Sequence, residues 1–294
     1  MPFGQPVGYL INWLHSRLFS FSHTIFVNRT STFVAMTDIS EASAPEFARS
    51  YVKLHSCERS PLTFLQYSFL SFYRGPYVKI QVNSGNHEYT VSKTLLCRES
   101  AYFSAMFENE FKEGQEQKAT LDKVEGVVSA QSFEALLQWL YLGRVKFELM
   151  VPEDQISAAI ELARFADMCQ ITGLESEMAR YIEEILIANP EPEPFTGRHV
   201  DINTYCLEPR HIISATLLPG GHSVRQTLAK ASVGGYLRDE NNKFKQETEQ
   251  YPTFGSEVLQ EVRKTLNGLK VSQYEATVND PLSGRRIKLN SPFV

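Results

Sequence analysis

The tightest constraint on this chain lies at residues 77–91. Val78, Ile80 and Val82 alternate with Tyr77, Lys79 and Gln81, so a strand there has one apolar face. Asn83-Ser84-Gly85-Asn86 follows, a turn composition in which Gly85 can take positive φ. Extended structure resumes at His87, with Tyr89 and Val91. A lone hairpin is marginal in water, so its apolar face needs a cover. The next segments supply one, with helical periodicity. Ser92 is placed to cap Lys93-Thr-Leu-Leu-Cys-Arg-Glu99. Ser100 is placed to cap a second helix whose stripe is Tyr102, Phe103, Met106 and Phe107. Residues 111–118 are polar, contain Gly114 and read as a loop, and Ala119-Thr-Leu-Asp122 is short and extended. Ser129 or Ser132 opens a strong helix with Phe133, Leu136, Leu137, Leu140 and Tyr141 on one face.

Two more helices complete this unit. Pro152 suits a first helical position, with Glu153 and Asp154 in the turn that favours acids. Leu162, Phe165, Ala166 and Cys169 follow on one face. Thr172-Gly-Leu-Glu175 reads as a capping box for a helix carrying Leu174, Met178, Tyr181, Ile182 and Ile185. Asn189-Pro-Glu-Pro-Glu-Pro-Phe195 then acts as a stiff linker. The unit 76–188 is therefore α+β, a small mixed β-sheet under a helical cluster. Residues 1–60 read as a disordered or targeting-like segment, and 61–75 as a short apolar helix with Leu62, Leu65, Phe69 and Phe72 in register. Residues 196–294 read as a mainly helical C-terminal region with a polar end at Arg285-Arg286.

The unit resembles the BTB/POZ domain, in the form common in fungal proteins. The resemblance rests on Tyr89, Val91, Leu95 and Ser100, then Phe103, Met106 and Phe107, then Trp139-Leu140-Tyr141, in matching order and spacing. It implies an intracellular protein-interaction module that self-associates and binds partners. Ser92 stands where the family usually has histidine, and Pro76 and Tyr77 stand where it usually has aspartate before the first strand. The resemblance also implies a cullin-binding role for Phe111-Lys112-Glu113, a hydrophobic-x-Glu motif directly after the second helix. Leu65, Phe69, Val78, Leu95 and Leu96 are the expected self-association surface. Residues 204–237 look like the tail that often follows the domain: a helix, a Leu-Pro-x-Gly-His-x-x-Arg turn at 218–225, and a second helix capped by Ser223.

Charge and chemistry narrow the function. The net charge is −5; residues 76–188, with 10 basic and 18 acidic groups, carry −8 and the flanks together carry +3. That balance argues against nucleic acid as a partner. No apolar run approaches the ~20 residues of a membrane span, so no membrane partner is expected either. The four cysteines, Cys57, Cys97, Cys169 and Cys206, form no C-x-x-C pair, and the seven histidines are scattered, so no metal is expected. The acids Glu108, Glu110, Glu113 and Glu116 lack the spacing of a calcium loop. Gly220-Gly-His-Ser223 could hold an anion at a helix start, but a turn with a cap is the simpler reading. No nucleotide or catalytic motif occurs, so no enzyme activity and no cofactor are expected. The expected partners are proteins: a second copy in a homodimer, and a cullin scaffold for which the protein would be a ubiquitin-ligase substrate adaptor. A platform for transcriptional regulation is the alternative. The expected location is cytoplasmic, nuclear or both, with mitochondrial targeting by residues 1–35 a minor alternative.

Overall fold

A computed structural model describes residues 75–82, 87–190, 203–273 and 275–289. Leu65 and Phe69, the segments 1–60 and 61–75 up to residue 74, the turn 83–86 and the linker from residue 191 lie outside them.

The first sheet has the order β2-β1-β3, built from β1 (Tyr77–Val82), β2 (His87–Ser92) and β3 (Lys118–Leu121). β1 and β2 pair antiparallel, with Val78 opposite Val91 and Ile80 opposite Tyr89. β1 and β3 run parallel, with Ile80 opposite Ala119 and Val82 opposite Leu121. Val78, Ile80 and Val82 are buried, while Lys79 faces out and joins Lys118 on the Glu88 carboxylate, at 2.8 and 3.1 Å.

A parallel return needs a crossover. It is made by α1 (Lys93–Glu99), α2 (Ala101–Glu108) and the single-turn α3 (Lys112–Glu116), which occupies most of the segment expected to be a loop. The expected caps form. Ser92 Oγ accepts from Leu95 N–H at 3.3 Å, and Ser100 Oγ accepts from Phe103 N–H at 3.2 Å. Ser100 also ends α1, its N–H reaching Leu96 O, and donates to Cys169 O at 2.6 Å.

α4 (Ala130–Leu142) is capped by Ser129 rather than Ser132. The two serines bond reciprocally, and Gly143 closes the helix at φ 65°. α5 (Pro152–Met168) starts on Pro152 as expected, and α6 (Leu174–Ala188) runs back along it. The capping box expected at Thr172 is not formed. Gly173, at φ 85°, is the N-cap and has no side chain to bond with, and Glu175, one position short of closing a box, accepts from Ser223 instead. Phe103, Phe107, Phe133 and Phe165 fill the centre, with Phe133 packed between Tyr89 and Phe165 at ring distances of 5.0 and 6.2 Å.

The C-terminal region holds α7 (Pro209–Ala215), α8 (Ser223–Arg238), α9 (Lys245–Gln250) and α10 (Pro252–Leu266). It is mainly helical but adds an antiparallel sheet, β4 (Lys270–Val271), β5 (Ala276–Asn279) and β6 (Arg286–Leu289). The supposed polar end is thus a strand, with Ile287 alone in β6 buried. Asp280 sets the β5–β6 turn, accepting from the backbone N–H groups of Leu282 and Ser283 at 3.0 and 2.7 Å. α8 packs on both α6 and α10, and α7 packs on α5. One cluster of buried apolar residues runs from Val78 to Leu282.

Candidate functional site

The Phe111 segment is held firmly and faces solvent. Asn109 Nδ2 donates to Ala105 O at 2.7 Å and closes the end of α2. Gly114 then turns so tightly that a Cβ there would sit 2.2 Å from Asn109 O, so only glycine fits. Gln117 takes a left-handed conformation at φ 50° and donates its side-chain amide to Gly114 O and, at 3.5 Å, to Phe107 O. Lys79 N–H, in β1, donates to Gln117 O at 3.0 Å and ties the loop to the sheet.

Phe111 is the N-cap of α3 and makes no capping bond. Its residue surface is 58 % exposed. Lys112 and Glu116 form a loose, exposed pair at 3.9 Å. Glu113 is half-buried beside Tyr102, whose hydroxyl is pushed up to about 12 by burial first, then by Cys169 and Glu113. An exposed aromatic on a fixed turn, rimmed by carboxylates, can enter an apolar pocket with a basic edge.

The expected self-association residues are placed differently. Val78, Leu95 and Leu96 are buried in the core, where the sheet and α1 need them, so they offer a second chain no surface. The alternation and helical spacing that marked them as apolar marked a core, not an interface.

The Gly220–Ser223 turn is occupied from within. Ser223 is the first residue of α8 rather than its cap. His222 Nδ1 accepts from Val224 N–H at 3.2 Å. Both Ser223 N–H and its hydroxyl donate to Glu175 Oε1, at 2.7 and 2.8 Å. The anion at this helix start is therefore the carboxylate of α6. Burial lowers the His222 pKa, against the opposing pull of Glu175 and Asp167.

Arg225 completes the same motif. It is buried, pairs with both oxygens of Glu257 at 2.9 and 3.1 Å, and donates to Leu218 O at 2.8 Å. Leu-Pro-x-Gly-His-x-x-Arg thus fastens α8 to α10. Glu257 and Asp280 are structural acids that sequence reading missed, and Glu175 is one to which it gave a different partner. Each partner but the neighbours of Asp280 is far along the chain, and nothing local signals it.

The remaining candidates are the cysteines. Cys97, Cys169 and Cys206 are free thiols. Burial pushes the Cys97 thiol up to about 11 and that of Cys169 higher still, which favours the protonated form of both. Among the described residues no three His, Cys, Asp or Glu side chains could hold a metal ion. No described helix is long and apolar enough to cross a membrane.

Comparisons with known proteins agree with this architecture. Residues 72–186 match the model of the BTB/POZ domain. Residues 72–186 therefore carry a BTB/POZ domain, a fold used for protein–protein interaction. Among solved structures, the BTB domain of zebrafish PATZ1 is similar at 14 % identity and a TM-score of 0.31, over 43 % of this chain and 99 % of that one. The BTB (Tramtrack and Bric a brac) domain of human Gigaxonin is similar at 17 % identity and a TM-score of 0.30, over 42 % of this chain and 98 % of that one. No curated protein sequence matches the chain.

Proposed function

We propose that this protein is an adaptor whose BTB/POZ domain presents the Phe111 turn to a cullin scaffold of a ubiquitin ligase, in the cytoplasm or nucleus. The observation that carries the reading is the presentation of Phe111: an aromatic 58 % exposed on a turn fixed by Asn109, Gly114 and Gln117. Leaving an aromatic in water forgoes its burial energy, ~2–3 kcal/mol, so a pocket that accepts it gains that amount. Glu113, two residues on, lies in the first turn of α3 and adds a carboxylate to the same presentation. Lys112 between them stays in solvent and leaves the contact to its neighbours.

In this reading the C-terminal lobe stands beside the domain as the platform for substrate. The test is recovery of cullin from cell extract by the full chain and by Phe111→Glu. Wild type is expected to recover cullin and the variant to lose most of it, an effect of 10-fold or more for a central anchor worth ~1.4 kcal/mol or above. Equal recovery by both chains rejects the adaptor role.

A further inference from the structure

The C-terminal lobe leaves an apolar strip in solvent. Leu259 and Leu266 lie two turns apart on one flank of α10, and both are exposed. The chain then turns, Leu269 N–H donating to Leu266 O at 3.1 Å, and enters β4 with Leu269 and Val271 also exposed. β4 is an edge of its sheet, and Val271 is 74 % exposed. Cations surround the strip. Arg263 and Lys264 sit in the last turn of α10 and Lys270 in β4. Lys264 pairs with Glu261 at 2.6 Å. Arg263 and Lys270 have no ion-pair partner among the described residues.

An apolar strip with unpaired cations fits an apolar anchor that brings acids with it. The chain itself displays such an anchor. Phe111 stands exposed among Glu108, Glu110, Glu113 and Glu116, with Lys112 as the one cation in that run. We propose that the Phe111 turn of one copy docks on the Leu259–Val271 strip of a second copy. The contact is head-to-tail, because the two surfaces are different parts of the chain. A pair keeps one free turn on one copy and one free strip on the other, so association continues until a ring closes. One aromatic anchor against four aliphatic side chains is at the small end of specific interfaces, which makes the assembly weak and reversible. Its charges make it sensitive to salt.

This inference does not rest on the cullin reading. Both use Phe111, but only this one uses Leu266. The test is light scattering of the full chain over a concentration series. Wild type is expected to gain mass with concentration at low salt and to lose that gain at about 0.5 M salt, where the screening length falls to a few ångströms. Phe111→Glu and Leu266→Glu are each expected to abolish the gain, and an equimolar mixture of the two to restore it in part, since each supplies the surface the other lacks. Should Leu266→Glu unfold by circular dichroism, Arg263→Glu/Lys270→Glu repeats the test on exposed side chains. Its complement, Glu110→Lys/Glu116→Lys, must then restore association. A wild-type mass independent of concentration overturns the proposal. So does association that survives either substitution, or variants that fail to complement on mixing. Leu266→Glu is expected to recover as much cullin as wild type. Loss of cullin binding in every chain would leave the self-association result intact.

Discussion

At the scale of single residues, the buried polar side chains join the two lobes, and His211 shows how. It is 1 % exposed on α7 and spans to α5. Its Nδ1 accepts from Glu208 N–H at 2.9 Å, which places the ring proton on Nε2. Nε2 then donates to Glu153 O, with Ser157 Oγ also at 3.0 Å. A second proton on Nδ1 would face the Glu208 N–H, donor against donor. The pKa is accordingly pushed down to about 4, by burial first and by Arg210 next, against weaker pulls from Glu153 and Glu208. A histidine depressed from 6.5 stabilises the fold fully above pH 6.5. That stability drains as pH falls from 6.5 towards 4, by about 1.4 kcal/mol per unit and roughly 3 kcal/mol in all. Urea midpoints at pH 7.5 and 4.5 check this. His211→Gln is expected to cost stability at the higher pH and to show a shallower loss on acidification. Parallel pH profiles for the two chains would refute the role.

At the scale of elements, the Leu218–Arg225 motif acts as a clamp between α8 and α10. Arg225 and Glu257 are both withdrawn from water, with side chains 5 % and 13 % exposed, so each depends on the other. Arg225→Met or Glu257→Met alone is expected to lower stability by roughly 3–5 kcal/mol, because a charge is left buried without its partner. Arg225→Met/Glu257→Met is expected to lose much less than the sum, as the two thioethers fill the same space. Denaturant titration of the three variants gives the coupling, and additive losses would show that the pair is independent. This clamp also marks the limit of what could be read in advance. The hairpin at 77–91, the caps at Ser92 and Ser100 and the helix start at Pro152 were legible because their causes are local: period, turn composition, one side chain near one amide and a proline's fixed φ. Phe111 is singled out through the family resemblance, as the first residue of a hydrophobic-x-Glu motif after the second helix. The Thr172–Glu175 box failed because the helix takes Gly173 and not Thr172 as its N-cap, and Glu175 bonds instead to Ser223, far along the chain. Val78, Leu95 and Leu96 were legible as apolar, but apolarity does not say which surface covers it. β5 and β6, four residues each, are too short for a period-two signal.

At the scale of the whole molecule, the proline linker suggests two independent bodies, and the packing argues for one. α8 has buried residues all around its axis, among them Val224, Leu228, Ala229, Ala231 and Val233, as expected of a helix enclosed by neighbours. Those neighbours are α6 of the BTB/POZ domain on one side and α10 of the C-terminal lobe on the other. The second sheet closes on the same helix through β6. Glu175, His211 and the α6–α8 contact all cross between the lobes, and the apolar core crosses with them. Melting either lobe therefore strips cover from the other. Calorimetry is expected to show one transition for residues 76–289, with equal calorimetric and van't Hoff enthalpies. A site-specific probe sharpens the test. In a Trp13→Phe background, Trp139 is the one tryptophan left and reports from α4 in the BTB/POZ domain. Arg225→Met, which acts in the C-terminal lobe, is expected to lower the midpoint of Trp139 fluorescence by the same amount as that of far-ultraviolet circular dichroism. A Trp139 midpoint left at the wild-type value while helicity melts early would mean that the lobes fold separately.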